Sequence, residues 1–435
     1  DTGFFQLFAK DVQSVADMNL ITHRVAELTL NPGVCAQDGF LTSHVIESLM
    51  LPERDLVKEF LGDPADIIDS PTPSQRHVLG DKRRRIPEMY NMDYPAMLGV
   101  VQNQDAYAQG VAAQRPFYFD HVQALTDQAF EEYAALTGRR YARVMGYRLE
   151  DAEYVLAGQG SVISNSEAVV DYLRKERGIK VGVLDVGMFR PFPTDMITAM
   201  LKGKKAVTVL ERVDQPLAVD QPLLREIRAA MGKGIENARA GKEIHPGVAA
   251  LPLDDVPDFF SGCYGLGSRD LQPGDLIAAV DNMLEGGKGR RQFYLGIEFI
   301  RKGTRLPKLQ IEQEKLLEGY PKLEEMALDC AGDLNLLPDD AVSIRIHSIG
   351  GWGAITMGKN LALTAADLCG LHIKANPKYG SEKKGQPTTF YASLSSEPIR
   401  LNCELKHVNV VLSPDPNVFR HSNPLAGLAE GGVFI

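Results

Sequence analysis

The stretch Tyr154-Val155-Leu156-Ala157-Gly158-Gln159-Gly160-Ser161 reads as an apolar strand running into a glycine turn. Residues 165–177 then have the pattern of a helix that stops at Gly178, and residues 180–189 form a second apolar strand closed by Arg190-Pro191-Phe192-Pro193. Residues 194–201 follow as a short helix with Thr194 as its expected cap, and Ala206-Val207-Thr208-Val209-Leu210-Glu211 is a third strand. Strands that are apolar throughout, alternating with helices, belong to a parallel sheet covered on both faces. The segment predicts a small doubly wound domain, with residues 275–283 as one of its later helices. The turn Gly158-Gln159-Gly160-Ser161 has no basic neighbour, so a purely structural role is expected for it.

Working outward, residues 11–28 carry apolar side chains at Val15, Met18, Leu20, Ile21, Val25 and Leu28, the spacing of a largely buried helix. Gly33-Val34-Cys35-Ala36 is strand-like and leads into the loop Asp38-Gly39-Phe40-Leu41-Thr42-Ser43-His44. Residues 60–120 lack clear periodicity and read as a long ordered loop or connecting arm. Their basic run Lys82-Arg83-Arg84-Arg85 suits a solvated face or a contact with a partner, and residues 120–136 read as a helix. On the other side, residues 284–335 are charged and contain proline, as a linker does. A further unit opens with the strand Ser343-Ile344-Arg345-Ile346-His347-Ser348 and continues through strands at 398–405 and 408–412. The expected architecture is α/β, with several doubly wound Rossmann-like domains and mostly parallel sheets. Its divisions are 1–150, 151–285, a linker at 286–340, and 341–435.

The chain has 435 residues and a net charge of −10. An acidic protein is poorly suited to broad nucleic-acid binding, which needs a positive surface. No apolar run approaches the ~20 residues of a membrane span. Cys35, Cys263, Cys330, Cys369 and Cys403 stand far apart, so no iron–sulfur or zinc spacing exists and no metal ligands are expected. A reducing cytoplasm fits this cysteine usage. The chain opens without an initiator methionine and closes on the strand-like Gly431-Gly432-Val433-Phe434-Ile435, as a segment or subunit of a larger enzyme would.

Chemistry is expected in two places. The strand at 343–348 runs into Gly350-Gly351-Trp352-Gly353 and a helix, an arrangement that presents backbone N–H groups to an anion. Thr356 stands where a dinucleotide fingerprint needs its third glycine, so the turn is either an anion site or only a turn. Lys383 and Lys384, between Gly380 and Gly385, either neutralise a phosphorylated ligand or are solvated loop charges. Asp38, Thr42, Ser43 and His44 follow a strand, where such folds build sites, although no Gly-x-Ser-x-Gly elbow supports a hydrolase. His347 is the nearest candidate for a phosphorylatable histidine of an acyl-CoA synthetase, but it lies inside a strand.

Taken in order, these motifs resemble the pyruvate:ferredoxin (flavodoxin) oxidoreductases, within the wider 2-oxoacid:ferredoxin oxidoreductases. The matching pieces are Thr2-Gly3-Phe4 with Asp11-Val12-Gln13, the Asp38–His44 loop, Gln102-Asn103-Gln104-Asp105-Ala106-Tyr107, and Phe189-Arg190-Pro191-Phe192. They continue with Tyr264-Gly265-Leu266-Gly267-Ser268, Leu295-Gly296-Ile297-Glu298, Gly303-Thr304-Arg305-Leu306-Pro307, the Gly350–Gly353 turn and the Lys383-Lys384 loop. Single motifs are unspecific, whereas their joint order over almost the whole chain is specific.

The resemblance implies oxidative decarboxylation of a 2-oxoacid to an acyl-coenzyme A, with electrons passed to ferredoxin or flavodoxin. It implies thiamine diphosphate, Mg2+ and [4Fe–4S] clusters bound mainly outside this segment, and no catalytic residue within it. The implied units are the later part of the pyrimidine-side thiamine-binding domain, a transketolase-C-terminal-like domain, and an incomplete third domain that engages coenzyme A through Gly350, Gly351, Trp352, Gly353, Lys383 and Lys384. Asp38, Thr42, Ser43 and His44 would lie near the active site. The remaining domains or subunits and a second copy of the whole enzyme are the implied partners. Trp352, and Gln386-Pro387 after the lysines, depart from the family pattern. The oxoacid is therefore open between pyruvate, 2-oxoglutarate and others, and a non-catalytic accessory chain is the remaining alternative.

Overall fold

A computed structural model describes residues 3–88, 92, 102–297, 307–379 and 385–435. At its centre is a six-stranded sheet in the order Gln292–Tyr294, Asp258–Cys263, Ala206–Glu211, Tyr154–Gly158, Val181–Asp185, Met145–Tyr147. All neighbours run parallel except the last pair. Alternate side chains leave on opposite faces of a strand, and here both faces are apolar. Leu156, Val183 and Leu210 pack with the helices Val162–Arg177 and Pro273–Met283 on one side. Val155, Ala157, Leu184, Val207 and Val209 pack with Thr194–Leu201 and Pro222–Ala240 on the other. This is the doubly wound domain expected from the strand–turn–helix pattern. Thr194 is the first helical residue and not the cap, because Pro193 precedes the helix without a side-chain cap bond. The segment expected to be one strand at 180–189 divides into Val181–Asp185 and Met188–Arg190, which serve different sheets.

The first unit is a small sheet, Gly33–Ala36, Phe5–Phe8 and Met188–Arg190, whose third strand is lent by the middle segment. Behind it the helices Val12–Thr29 and Val122–Thr137 pack around Ile21, Val25, Ala129 and Tyr133. Asp17 is enclosed between them and accepts from Tyr133 Oη (2.6 Å), Tyr141 Oη (2.6 Å) and Arg139 Nε (2.6 Å). Burial alone would raise its pKa, but these donors hold the carboxyl below its usual range. The arm expected at 60–120 contains the hairpin Ile67–Asp69 with Lys82–Arg84, and the helices Pro73–Leu79 and Gln104–Phe117. Within the basic run, Arg83 is buried and not solvated. It donates to Gln75 Oε1 (2.8 Å) and to the carbonyl of Glu27 at the end of the first helix (2.8 Å).

The third sheet runs Leu428–Phe434, Val408–Leu412, Val342–Ile349, Pro387–Ser395, His372–Lys378, Ile46–Glu47. It mixes parallel pairs on one side with antiparallel pairs on the other. The helix Ala354–Cys369 covers one face, where Ile344, Ile346, Ala375 and Phe390 meet Ala354 and Ala362. Residues 398–405, expected as a strand, form none. Ile399, Leu401, Cys403 and Leu405 alternate inward, but the backbone bonds go to side chains of the middle domain: Asn402 N to Asn165 Oδ1 (2.7 Å) and Glu404 N to Asp270 Oδ1 (3.0 Å). Strand-like patterning here reflects a half-buried docking segment. Arg400 adds an ion pair to Asp171 (2.8 Å). Among the described residues, no helix is long and apolar enough to cross a membrane.

Gly358 sets the approach of the covering helix, since a Cβ there would stand 2.3 Å from Cδ1 of Phe390. Gly358→Val should destabilise the chain by about 1–3 kcal/mol through overpacking. A chemical-denaturation midpoint equal to that of the parent chain would contradict this packing.

Candidate functional site

In the central sheet the chain order reverses between Tyr154–Gly158 and Ala206–Glu211, which are neighbours although Val181–Asp185 lies between them in sequence. At such a switch point the loops leaving the carboxyl ends part and open a crevice, the usual ligand position in open α/β sheets. Gly160 turns here with φ +74°, and Ser161 precedes the helix Val162–Arg177. The crevice is filled from within the chain. Asp38 of the first unit places Oδ2 2.6 Å from the backbone nitrogen of Ser161, and a Cβ on Gly160 would lie 2.7 Å from the same oxygen. Arg212, directly after the neighbouring strand, sits 3.6 Å from Asp38 Oδ1 and donates to the carbonyls of Gly39 (2.7 Å) and Gly265 (3.0 Å). A carboxylate at a helix N-terminus beside a guanidinium is well stabilised. The glycine turn expected to be purely structural thus binds an anion, and the anion is a side chain of the same protein.

Asp38 also organises the loop behind it. Its carbonyl accepts from the nitrogens of Thr42 and Ser43 (both 3.2 Å). Thr42 is buried with its hydroxyl enclosed and unpartnered. Ser43 Oγ lies 2.9 Å from His44 Nδ1 and accepts from Phe40 N (2.9 Å). The His44 ring stacks on Phe40 at 4.7 Å, and Tyr379 of the third domain meets both rings edge-on. Asn402 Nδ2 donates to Leu41 O (2.6 Å) and closes the loop against the docking segment. A cavity of about 400 Å³ opens at this three-way junction, lined by Phe40, Ser268, Asn376, Tyr379, Tyr391 and Asn402 among others. Asp38, Thr42, Ser43 and His44 are therefore brought together, with Asp38 and Thr42 as the inner support and His44 at the accessible side.

The Gly350–Gly353 turn has φ +97° at Gly351 and +83° at Gly353, and the helix behind it starts without a side-chain cap. Trp352 is 55% exposed. Gly385 N donates to Gly350 O (3.1 Å) and Gly350 N to Gln386 O (2.8 Å), so the turn adjoins the end of the loop carrying the two lysines. Lys383 and Lys384 themselves lie outside the described residues. His347 is half-buried in its strand. Burial, and then the nearby Arg345 charge, lower its pKa to about 4, so the ring is neutral. Among the described residues no group of three or more His, Cys, Asp or Glu is placed to hold a metal ion.

A polar cluster missed in the sequence lies beside the crevice. Lys10 pairs with Glu167 (2.9 Å) across the boundary between the first unit and the middle domain. Asp185, at the end of its strand, has an enclosed and unpartnered Oδ1. Burial, partly offset by Lys10, raises Asp185 to about 7. Glu211 is likewise raised to about 7 by burial, even though it accepts from Leu223 N (2.6 Å) and Leu224 N (3.2 Å). The only sequence signal was that each acid ends an apolar strand.

The geometry defines an α/β chain whose sites lie where its domains meet. Three family models match it in order: pyruvate flavodoxin/ferredoxin oxidoreductase, thiamine diP-binding, over residues 1–127; pyruvate:ferredoxin oxidoreductase core domain II over 152–244; and pyruvate ferredoxin/flavodoxin oxidoreductase over 343–435. The chain belongs to the pyruvate:ferredoxin (flavodoxin) oxidoreductase family. It is 25% identical to the pyruvate:ferredoxin oxidoreductase of Moorella thermoacetica over 435 residues, 100% of this chain and 32% of that protein. It is 28% identical to the probable pyruvate-flavodoxin oxidoreductase of Escherichia coli over 439 residues, again 100% and 32%. With the pyruvate synthase subunit PorA of Thermotoga maritima it shares 30% identity over 300 residues, covering 68% of this chain and 66% of the subunit. The chain thus spans about a third of the length of the first two relatives.

Two tests follow from the crevice. Asp38→Ala leaves the Ser161 N–H without its acceptor and removes the ion-pair partner of Arg212, and should cost about 1–3 kcal/mol. Proteolysis should also begin within 38–44, and a cleavage pattern identical to the parent's would refute the plug. The folded chain holds the protons of Asp185 and Glu211 more tightly than the unfolded chain does. Their contribution to stability therefore falls as pH rises from about 4 through about 7, then levels off. Asp185→Asn should flatten that slope in urea midpoints measured across the same window.

Proposed function

We propose that the chain is the central part of a thiamine diphosphate-dependent enzyme that decarboxylates a 2-oxoacid, most naturally pyruvate, and joins the acyl group to coenzyme A. The electron pair passes through [4Fe–4S] clusters to ferredoxin or flavodoxin. The observation that carries this reading is the order of the three family segments in one chain, aligned with full-length relatives named for that activity. Thiamine diphosphate, with Mg2+, supplies an electron sink for the carbanion left by decarboxylation. The five cysteines of this chain are too scattered to hold a cluster, so cluster ligation belongs to other parts of the enzyme.

What this chain contributes is support and binding. Residues 1–150 furnish the later part of the thiamine domain, 151–285 the transketolase-C-terminal-like domain, and 341–435 the coenzyme A-engaging domain, joined through 286–340. The uncapped helix start behind Gly350, Gly351 and Gly353 offers N–H donors to a phosphate, Lys383 and Lys384 add charge, and Trp352 offers a ring face to adenine. The Asp38–His44 loop stands at the junction through which the thioester-forming end of coenzyme A would pass. The enzyme works in the cytoplasm as a homo-oligomer.

The test is an anaerobic assay of the intact enzyme. Reduction of a low-potential dye should require both the oxoacid and coenzyme A. Replacing Lys383 and Lys384 together by alanine should raise the apparent KM for coenzyme A about tenfold or more, the scale of one lost charge-assisted hydrogen bond, with the oxoacid KM nearly unchanged. An unaltered coenzyme A dependence would remove the lysines from the site. A complete enzyme that contains neither thiamine diphosphate nor iron would remove the function.

A further inference from the structure

The third sheet has a switch point of its own. Val342–Ile349 and Val408–Leu412 are parallel neighbours, although His372–Lys378 and Pro387–Ser395 lie between them in sequence. The chain leaves the first strand through the Gly350–Gly353 turn toward His372–Lys378. It leaves the second through residues 413–427 toward Leu428–Phe434, on the other side of the sheet. Loops that part in this way open a crevice for a ligand. Leu412 stands beside Ile346, so the second loop departs level with His347, about 10 Å short of Gly350 at ~3.3 Å per residue.

We propose that His421, on this second loop, contacts the 3′-phosphate of the coenzyme A held at the turn and sets the preference for coenzyme A over its dephospho form, an assignment that rests on the coenzyme A reading above. The ring is held still from behind. Asp415 is 1% exposed and accepts from Asn417 N (2.8 Å) and from His421 Nε2 (2.6 Å). Those bonds, the backbone one first, keep its carboxyl ionised and below the usual range. A carboxylate at Nε2 fixes the tautomer and leaves Nδ1 as the remaining polar atom of the ring. The single helical turn Val418–His421 is anchored by the buried Val418, while the His421 side chain keeps 26% of its surface exposed. His421 is also close enough to His347 to add to burial and Arg345 in lowering the His347 pKa. The ring therefore lies near the end of the strand that enters the glycine turn.

The chemistry selects a phosphomonoester. Its second ionisation falls at about 6, close to the ordinary value of about 6.5 for imidazole, so near neutral pH one proton is shared between Nδ1 and a phosphate oxygen. With the proton on the ring, an imidazolium donates to a dianion in a charge-assisted bond; with the proton on the phosphate, neutral Nδ1 accepts it. A diphosphate has no ionisation in that range and is served instead by the N–H groups of the helix start behind the turn. A ribose with a phosphate on each side bridges the gap between the turn and the ring.

Calorimetric titration of the intact enzyme with coenzyme A and with dephospho-coenzyme A, in the absence of oxoacid, tests the contact. The parent should bind coenzyme A about tenfold more tightly, the scale of one charge-assisted hydrogen bond. His421→Gln should weaken coenzyme A about tenfold and leave dephospho-coenzyme A within about twofold. Asp415→Asn removes the carboxylate behind the ring and should narrow the preference in the same direction. Should that buried variant fail to fold, the half-exposed His421 position still carries the test. Equal affinities in the parent, or the parent's preference preserved in His421→Gln, overturns the proposal while leaving coenzyme A binding in place. An intact enzyme that binds neither coenzyme overturns the coenzyme A reading itself, and this contact with it.

Discussion

The carboxylate of Asp38 at the switch point of the central sheet is the interaction on which the relative placement of the three sheets depends. An open parallel sheet leaves unpaired N–H groups at the crevice where its chain order reverses, and water or a ligand normally satisfies them. Here Ser161 N–H and Arg212 take a side chain from the first unit instead. The same short stretch begins as the strand Gly33–Ala36 of the first sheet and ends as Ile46–Glu47, an edge strand of the third. Glu47 then pairs with the nearly enclosed Lys374 at 3.0 Å. One continuous segment is therefore anchored in three hydrophobic units, and its anchors are polar groups withdrawn from water. Such anchors are costly to break singly, since each leaves a partner buried and unsatisfied.

The sequence made the central domain legible because that domain obeys local rules. Tyr154–Gly158, Val181–Asp185 and Ala206–Glu211 are apolar on both faces, and glycine turns stand between strand and helix. The errors lie where a pattern had a distant cause. Residues 398–405 alternate as a strand does, but their bonding partners, Asn165 and Asp270, lie more than a hundred residues away in sequence. The run Lys82–Arg85 looked solvated, yet Arg83 is drawn inward because the carbonyl of Glu27 and Gln75 need a donor. Mostly parallel sheets are expected from the strand–helix alternation of the middle segment, whereas the third sheet has an antiparallel half built by Pro387–Ser395 and His372–Lys378. Of the candidate site, the loop Asp38–His44 was visible by its position after a strand. That Asp38 serves the turn at Gly160 was not, because nothing local to either sequence indicates the other.

The division of roles within the loop follows from depth. Asp38 and Thr42 are engaged with the protein interior, whereas His44, stacked on Phe40, meets Tyr379 from the third domain. The inner residues fix the loop to the central sheet, and Phe40 presents its ring to a cavity whose remaining walls belong to the middle and third domains. A ligand there touches three hydrophobic units at once, so its affinity reports their relative position as well as the chemistry of any one side chain.

On the proposed reading this geometry constrains how coenzyme A reaches the reaction. Tyr379 precedes the lysine-bearing loop and lines the three-way cavity, while Gly385 at its other end is bonded to Gly350 in the glycine turn. The lysine-bearing stretch is thus flanked by a residue of the cavity wall and by a residue bonded to the turn. If Lys383 and Lys384 hold the phosphates of the ligand, its charged end and its reactive end engage two sites that share this one short connection. Trp352, more than half exposed in that turn, offers an indole face on which the adenine of such a ligand would stack.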